Sequence, residues 1–269
     1  RNKGGSAMAG LLVEKELEIG RRIQADFFFL YFPTYAGWEI AAAIRPAKQV
    51  AGDFYDIFAL RNERLLAVVI GDVCDKGVGA AIFMALFRSL IRATCQHQLD
   101  APGGSTESNG EQPQKLLTNT IQQTNNYIAV THASACMFAT VFFAIIDRQT
   151  GEMHYVNCGH EPPFLMTADG RFTRLAPTGP AVGTFPGVKF ACKSIAIQPG
   201  DLLFAFTDGV SEAPDADGQA FGTIRLQEIL RSPHPSLGEM LQTIESAIDE
   251  HTHNRKQFDD ITMLGVRCR

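Results

Sequence analysis

Short apolar runs bounded by turn-forming residues dominate this chain. Runs at 38–43, 54–60, 65–70, 139–147, 153–158, 164–167, 172–175, 190–197, 201–207 and 261–266 each predict a strand. Arg61-Asn62-Glu63, Arg148-Gln149-Thr150-Gly151 and Asp169-Gly170 sit between neighbouring runs and predict hairpins, and Gln198-Pro199-Gly200 lies in the same way between 190–197 and 201–207. A helical period replaces the strand pattern at 8–26, 80–98, 114–130, 224–230 and 237–251. In the first of these, Leu12, Glu16, Ile19 and Ile23 share a face, with Leu17 beside it and charged residues over the rest. Such a lead-in is either a core-packing helix or the end of a signalling coiled coil. The helix at 80–98 is apolar over most of its surface (Ile82, Phe83, Met84, Leu86, Phe87, Leu90, Ile91), which predicts burial. Residues 100–113 read as loop. Antiparallel hairpins with helices grouped between them predict an α+β fold.

The acidic residues fall where these runs stop or start. Asp72 ends the run beginning at Leu65, Asp208 ends the one beginning at Leu202, Asp259 and Asp260 precede Ile261, and Asp53 opens Phe54-Tyr55. A carboxylate at a strand end lies at the rim of a sheet, and antiparallel strands can gather several such ends. Gathered carboxylates repel one another and call for cations, so a metal site is the first functional expectation.

Composition narrows the field. The 269 residues suffice for one large or two small domains, and the 45% apolar and 20% charged fractions are ordinary for a globular protein. A net charge of −5 without a long basic stripe argues against nucleic acid as partner. The six cysteines show no C-x-x-C pair or zinc-ligand spacing, and read as reduced thiols of a cytoplasmic protein. No apolar stretch reads as long enough to span a bilayer, so direct membrane insertion is not expected. Residues 27–32 (Phe-Phe-Phe-Leu-Tyr-Phe) read as a hydrophobic plug onto the core or a partner. The opening residues lack a signal-peptide core and suit the tail of a linker, so that the chain reads as a fragment of a longer protein.

Five motifs occur in a fixed order: Ala51-Gly52-Asp53-Phe54-Tyr55-Asp56, Gly71-Asp72-Val73-Cys74-Asp75-Lys76-Gly77, Asn157-Cys158-Gly159-His160-Glu161-Pro162-Pro163, Thr207-Asp208-Gly209-Val210-Ser211-Glu212 and Phe258-Asp259-Asp260-Ile261-Thr262. Together they resemble the SpoIIE/RsbU-type branch of the PPM metal-dependent serine/threonine protein phosphatases, from about residue 19 to 266. The resemblance implies an α-β-β-α sandwich of two antiparallel sheets flanked by helices, with residues 1–26 as a linker helix and 27–269 as the phosphatase domain. It also implies two Mn²⁺ or Mg²⁺ ions. Asp72 would bridge them, the main-chain carbonyl of Val73 and Asp53 would complete one, and Asp208 and Asp259 would hold the other. Asp260 is a weaker ligand candidate. Hard oxygen ligands suit these cations rather than zinc or copper. The implied reaction is hydrolysis of phosphoserine or phosphothreonine by water activated between the metals. The implied substrate is a phosphorylated anti-sigma-factor antagonist, with an upstream sensor or receiver domain and a homodimer through the linker helix.

Three positions depart from the family pattern: Ala51 replaces a glycine, Cys74-Asp75 replace Ser-Gly, and Glu161 replaces an asparagine. None removes an implied ligand. His160 could serve as a general acid, although its setting reads as a structural turn. Arg45 and Lys48 could grip phosphate but read as solvated charge, as do Arg88 and Arg92. Asp56 reads either as support behind the site or as surface, and Asp147, Asp169 and Asp201 as turn formers. Two other functions stand beside the phosphatase: a PPM-like regulatory binding module weak in catalysis, and a two-metal nuclease disfavoured by the acidic balance.

Overall fold

The structure, a computed structural model, describes residues 3–28, 34–100, 111–253 and 255–269. In chain order its elements are α1 (Lys3–Ala25), β1 (Trp38–Arg45), β2 (Asp53–Leu60), β3 (Leu65–Val73), α2 (Val78–Asp100), α3 (Glu111–Thr131), β4 (Ala139–Asp147), β5 (Glu152–Cys158), β6 (Phe164–Met166), β7 (Phe172–Arg174), β8 (Lys193–Ala196), β9 (Leu202–Phe206), α4 (Asp208–Ser211), α5 (Thr223–Arg231), α6 (Leu237–His251) and β10 (Ile261–Cys268). The strands form two five-stranded antiparallel sheets, ordered β2-β3-β4-β5-β8 and β1-β10-β9-β6-β7.

Three cores stack into four layers. Side chains alternate across a strand, so a strand covered on both faces reads as one continuous apolar run. Leu65, Ala67 and Val69 of β3, with Val141, Phe143 and Ile145 of β4, meet Met84, Phe87, Ile91, Leu117 and Ile121 of α2 and α3. The intervening Leu66, Val68, Ile70, Phe142 and Ala144 meet Leu203, Ala205, Leu264 and Val266 of the other sheet. The outer face of that second sheet, through Phe204, Phe206 and Met263, buries Leu226, Leu230, Met240 and Ile244 of α5 and α6. The result is the α-β-β-α sandwich.

Several expectations need correction. Runs 190–197 and 201–207 are not a hairpin: β8 joins β5 in one sheet while β9 pairs with β10 and β6 in the other, so Gln198-Pro199-Gly200 is a crossing between sheets. Ile19 and Ile23 of α1 face solvent; the inward residue is Gln24, whose side chain accepts from the amide of Ala51 and donates to its carbonyl, both at 2.8 Å. Residues Val78–Leu99 do satisfy the length and apolarity of a membrane span, with a mean hydropathy of 1.5. Here that segment is α2, which lays Met84, Phe87, Ile91 and Cys95 wholly inside a core. Within the plug at 27–32, Phe28 packs on Tyr55 with ring centroids 5.2 Å apart, and residues 29–32 lie outside the described residues. So does nearly all of the loop at 100–113, at 101–110.

Candidate metal-dependent active site

Antiparallel pairing places Asp53, the first residue of β2, directly opposite Asp72 near the end of β3. In the second sheet β9 and β10 are also antiparallel, so Asp208, just past β9, and Asp259, just before β10, come to one edge. Two hydrogen bonds tie the edges of the two sheets together. Thr207 Oγ1 donates to Asp53 Oδ2 at 2.8 Å, and the amide of Gly52 donates to Asp260 Oδ2 at 2.7 Å. The amide of Thr262 in turn donates to Thr207 Oγ1 at 3.0 Å.

The carboxylates feel one another. Burial, then the charges of Asp208 and Asp259, push the Asp72 carboxyl up to about 7. Burial, then Asp72 and Asp260, hold Asp53 well above the usual carboxylate range. Asp208 is raised by burial and by Asp259 and Glu212, and Lys76 works in the opposite direction. Like charges facing each other across a strand pair are destabilising on their own. Among the described residues no three acidic, histidine or cysteine side chains close around a single point. The donor chemistry nevertheless fits hard divalent cations: carboxylates alone, mutually repelling and partly desolvated, are the groups such an ion relieves.

The neighbouring residues have identifiable work. Asp260 has both oxygens engaged by main-chain amides, of Ala47 and Gly52 at 2.7 Å each, and so clamps the loop leading into Asp53. Gly209 lets the chain after Asp208 touch that clamp: a Cβ there would lie 1.9 Å from the Asp260 carbonyl oxygen. Asp75 sits at φ 71°, the left-handed region that glycine enters most easily and aspartate tolerates, and it is exposed. Lys76 Nζ lies 2.7 Å from Asp259 Oδ2 and 2.9 Å from the Phe258 carbonyl oxygen, and 4.5 Å from the centroid of the Phe258 ring. A cleft of about 350 Å³ opens beside Asp208 and Asp259, with Arg45, Glu212, Lys256 and Phe258 also on its walls.

Other sequence candidates fall elsewhere. His160 is buried against Thr140, with Nδ1 2.9 Å from Thr140 Oγ1, and its amide donates to Asn157 Oδ1 at 2.8 Å. Burial lowers its pKa to about 4, so it is neutral at pH 7 and poorly suited to donate a proton. Arg45 pairs with Asp249 at 2.9 Å, and Lys48 is exposed. Arg88 and Arg92 are not a solvated face. Both reach the buried carboxylate of Asp56, Arg88 at 2.9 Å and Arg92 Nε at 2.7 Å, so Asp56 anchors α2 to β2. Glu161 binds Arg174 at 2.8 Å. Asp147 and Asp201 accept turn amides, of Gln149 and Gln198 at 2.9 Å, and Asp169 binds Arg171 across its hairpin turn at 2.8 Å.

The sequence reading missed Gln24, Lys76, Thr207 and Thr262. The two threonines left a signal, since each is a hydroxyl at the edge of an apolar run beside a motif aspartate. Gln24 left none, because its partner is the main chain 27 residues away.

Residues 62–269 match the family described as Stage II sporulation protein E (SpoIIE). The chain belongs to that family. It is a phosphoprotein phosphatase domain of the SpoIIE/RsbU-type PPM branch. Among curated relatives this SpoIIE-family chain is 43% identical over 263 residues to Protein IcfG of Synechocystis sp., covering 93% of the chain and 41% of that protein. It is 26% identical over 257 residues to phosphoserine phosphatase RsbU of Bacillus subtilis, covering 95% of the chain and 70% of that protein. The chain thus spans less than half the length of IcfG. Two solved structures share the fold. The SiaA-PP2C domain of Pseudomonas aeruginosa has a TM-score of 0.72 at 21% identity, with 97% of this chain and 99% of that one covered. The PP2C domain with a regulatory fragment of SpoIIE from Bacillus subtilis has a TM-score of 0.68 at 18% identity, with 86% and 62% covered.

Proposed function

We propose that this domain hydrolyses phosphoserine or phosphothreonine on a partner protein, with Asp53, Asp72, the Val73 carbonyl, Asp208 and Asp259 holding two Mn²⁺ or Mg²⁺ ions. The observation that carries the reading is the meeting of four strand-end carboxylates from two sheets at one edge of the sandwich, where burial and acidic neighbours drive the carboxyl groups of Asp53, Asp72 and Asp208 upward. When bound, such ions supply Lewis-acid chemistry: they make water acidic enough to attack phosphorus near neutral pH and offset charge on the phosphoryl oxygens. The chain's own contribution is position. Thr207 orients Asp53, and the Asp260 clamp fixes the loop before it. The cleft beside Asp208 and Asp259 leaves room for the polypeptide that carries the phosphate. Neutral His160 braces Thr140, which is paired with Asp72 across β3 and β4.

The partner in this reading is a phosphorylated anti-sigma-factor antagonist in the cytoplasm. Residues 1–26 would be the linker to an upstream sensor or receiver domain and the route to a homodimer. The relative named phosphoserine phosphatase RsbU, and the structure described as the RsbU and RsbW domains of one Mycobacterium tuberculosis protein, support the partner in this reading. The alternative, a regulatory module without turnover, is favoured only by the departures Asp75 and Glu161. Release of phosphate from a phosphoserine peptide with Mn²⁺ tests the reading. Asp72→Asn should reduce it at least a hundredfold with the fold intact, and full activity in that variant would reject the assigned bridge.

A further inference from the structure

We propose that Lys76 is a tethered counter-cation that occupies the Asp208–Asp259 side of the site and competes there with the second divalent ion. The inference rests on the metal reading above. Its ammonium lies 2.7 Å from Asp259 Oδ2, within the range of a charge-assisted hydrogen bond. Asp208 and Asp259 are the pair assigned to one ion, so Lys76 neutralises an oxygen that ion needs.

The ammonium is held from three sides. Besides Asp259, Nζ donates to the Phe258 carbonyl oxygen at 2.9 Å and lies over the Phe258 ring at 4.5 Å. The backbone brings it there: Lys76 follows Asp75, whose left-handed conformation turns the chain, and Asp75 Oδ1 accepts the Lys76 amide at 2.8 Å. Among the described residues no ammonium or guanidinium is paired with Asp53 or Asp72 on the other sheet, where Asp53 Oδ2 accepts the Thr207 hydroxyl. The two halves of the site are therefore unequal. An ion can enter at Asp53 and Asp72 without displacing a cation, whereas at Asp208 and Asp259 it must first dislodge Lys76 from Asp259 Oδ2. Divalent ions then bind in order, the second more weakly, and the ammonium is released to the rim of the cleft.

Titration calorimetry with MnCl₂ on the whole chain tests this, comparing wild type with Lys76→Met and Lys76→Arg. Lys76→Met should bind the weaker ion about tenfold more tightly, because one charge-assisted hydrogen bond no longer opposes it. Lys76→Arg keeps the charge and should retain the weak second step. A second readout, thermal unfolding in chelator and then in MnCl₂, should show Lys76→Met starting lower than wild type and gaining more from the metal. Two Mn²⁺ bound by wild type and Lys76→Met with equal affinity, or more weakly by the variant, would overturn the competition alone. No Mn²⁺ bound by either protein would overturn it together with the metal reading beneath it.

Discussion

At the scale of single residues, the site depends on a few polar groups that hold its carboxylates rather than on the carboxylates alone. Thr207→Val removes the hydroxyl that donates to Asp53 and accepts from Thr262, and should cost about 1–2 kcal/mol in a urea melt while weakening Mn²⁺ binding in calorimetry. Asp260→Ala leaves the amides of Ala47 and Gly52 without their acceptor and should cost about 3 kcal/mol by the same melt. His160 makes a pH prediction. Its folded pKa is depressed from 6.5 to about 4, so it stays neutral in the fold while the unfolded chain takes up a proton. The stability this contributes is fully present above 6.5 and is lost as pH falls towards 4. Urea melts of wild type at pH 7 and pH 5 should differ by more than those of His160→Gln, and equal differences would reject the assignment. The motif aspartates and His160 could be read from the chain because they interrupt apolar runs or sit in short recognisable strings. The work of Asp260 could not, since its partners are main-chain amides more than 200 residues away.

At the scale of elements, strands were legible and their partners less so. Hairpins such as β2–β3 and β4–β5 follow from local turns, and the register of the first carries Asp53 to Asp72. The run at 190–197 does contain a strand, but its pairing was not legible, because its neighbour in sequence belongs to the other sheet and a Pro-Gly turn looks alike in a hairpin and in a crossing. Helix α2 illustrates the same limit. Its apolar surface announced burial, but Arg88 and Arg92 resembled a solvated stripe until Asp56 met them from β2. Asp56→Ala should remove the carboxylate those guanidinium groups share and cost about 3 kcal/mol, towards the lower end for a broken buried pair because Arg92 remains partly exposed to solvent. Helix α1 is fastened beside the site by Gln24. Gln24→Ala should raise hydrogen exchange at the 51–53 amides with little change in the core strands, which would show that α1 steadies the loop before Asp53.

At the scale of the whole molecule, the sandwich gathers repelling charge at one end of two well-filled sheets, so the proposed metal binding would be linked to stability. Added Mn²⁺ should raise the melting temperature in proportion to the logarithm of its concentration, with about 2.7 kcal/mol gained at a hundred times Kd, and chelation should reverse it. A melting temperature indifferent to Mn²⁺ would separate the carboxylate cluster from metal binding. What the chain determined by itself is local: which runs are strands, which turns close hairpins, which acidic residues stand at strand ends, and the ordered motifs that mark the family. These depend on neighbours within a few residues, where side-chain period and turn chemistry act. The tertiary structure decided which sheet each strand joins, that Lys76 faces Asp259 from 183 positions away, and that Asp56, Asp260 and Gln24 brace rather than decorate. Those outcomes depend on which distant surfaces exclude water together, and on desolvated charges finding opposite charge or amide hydrogens when they do.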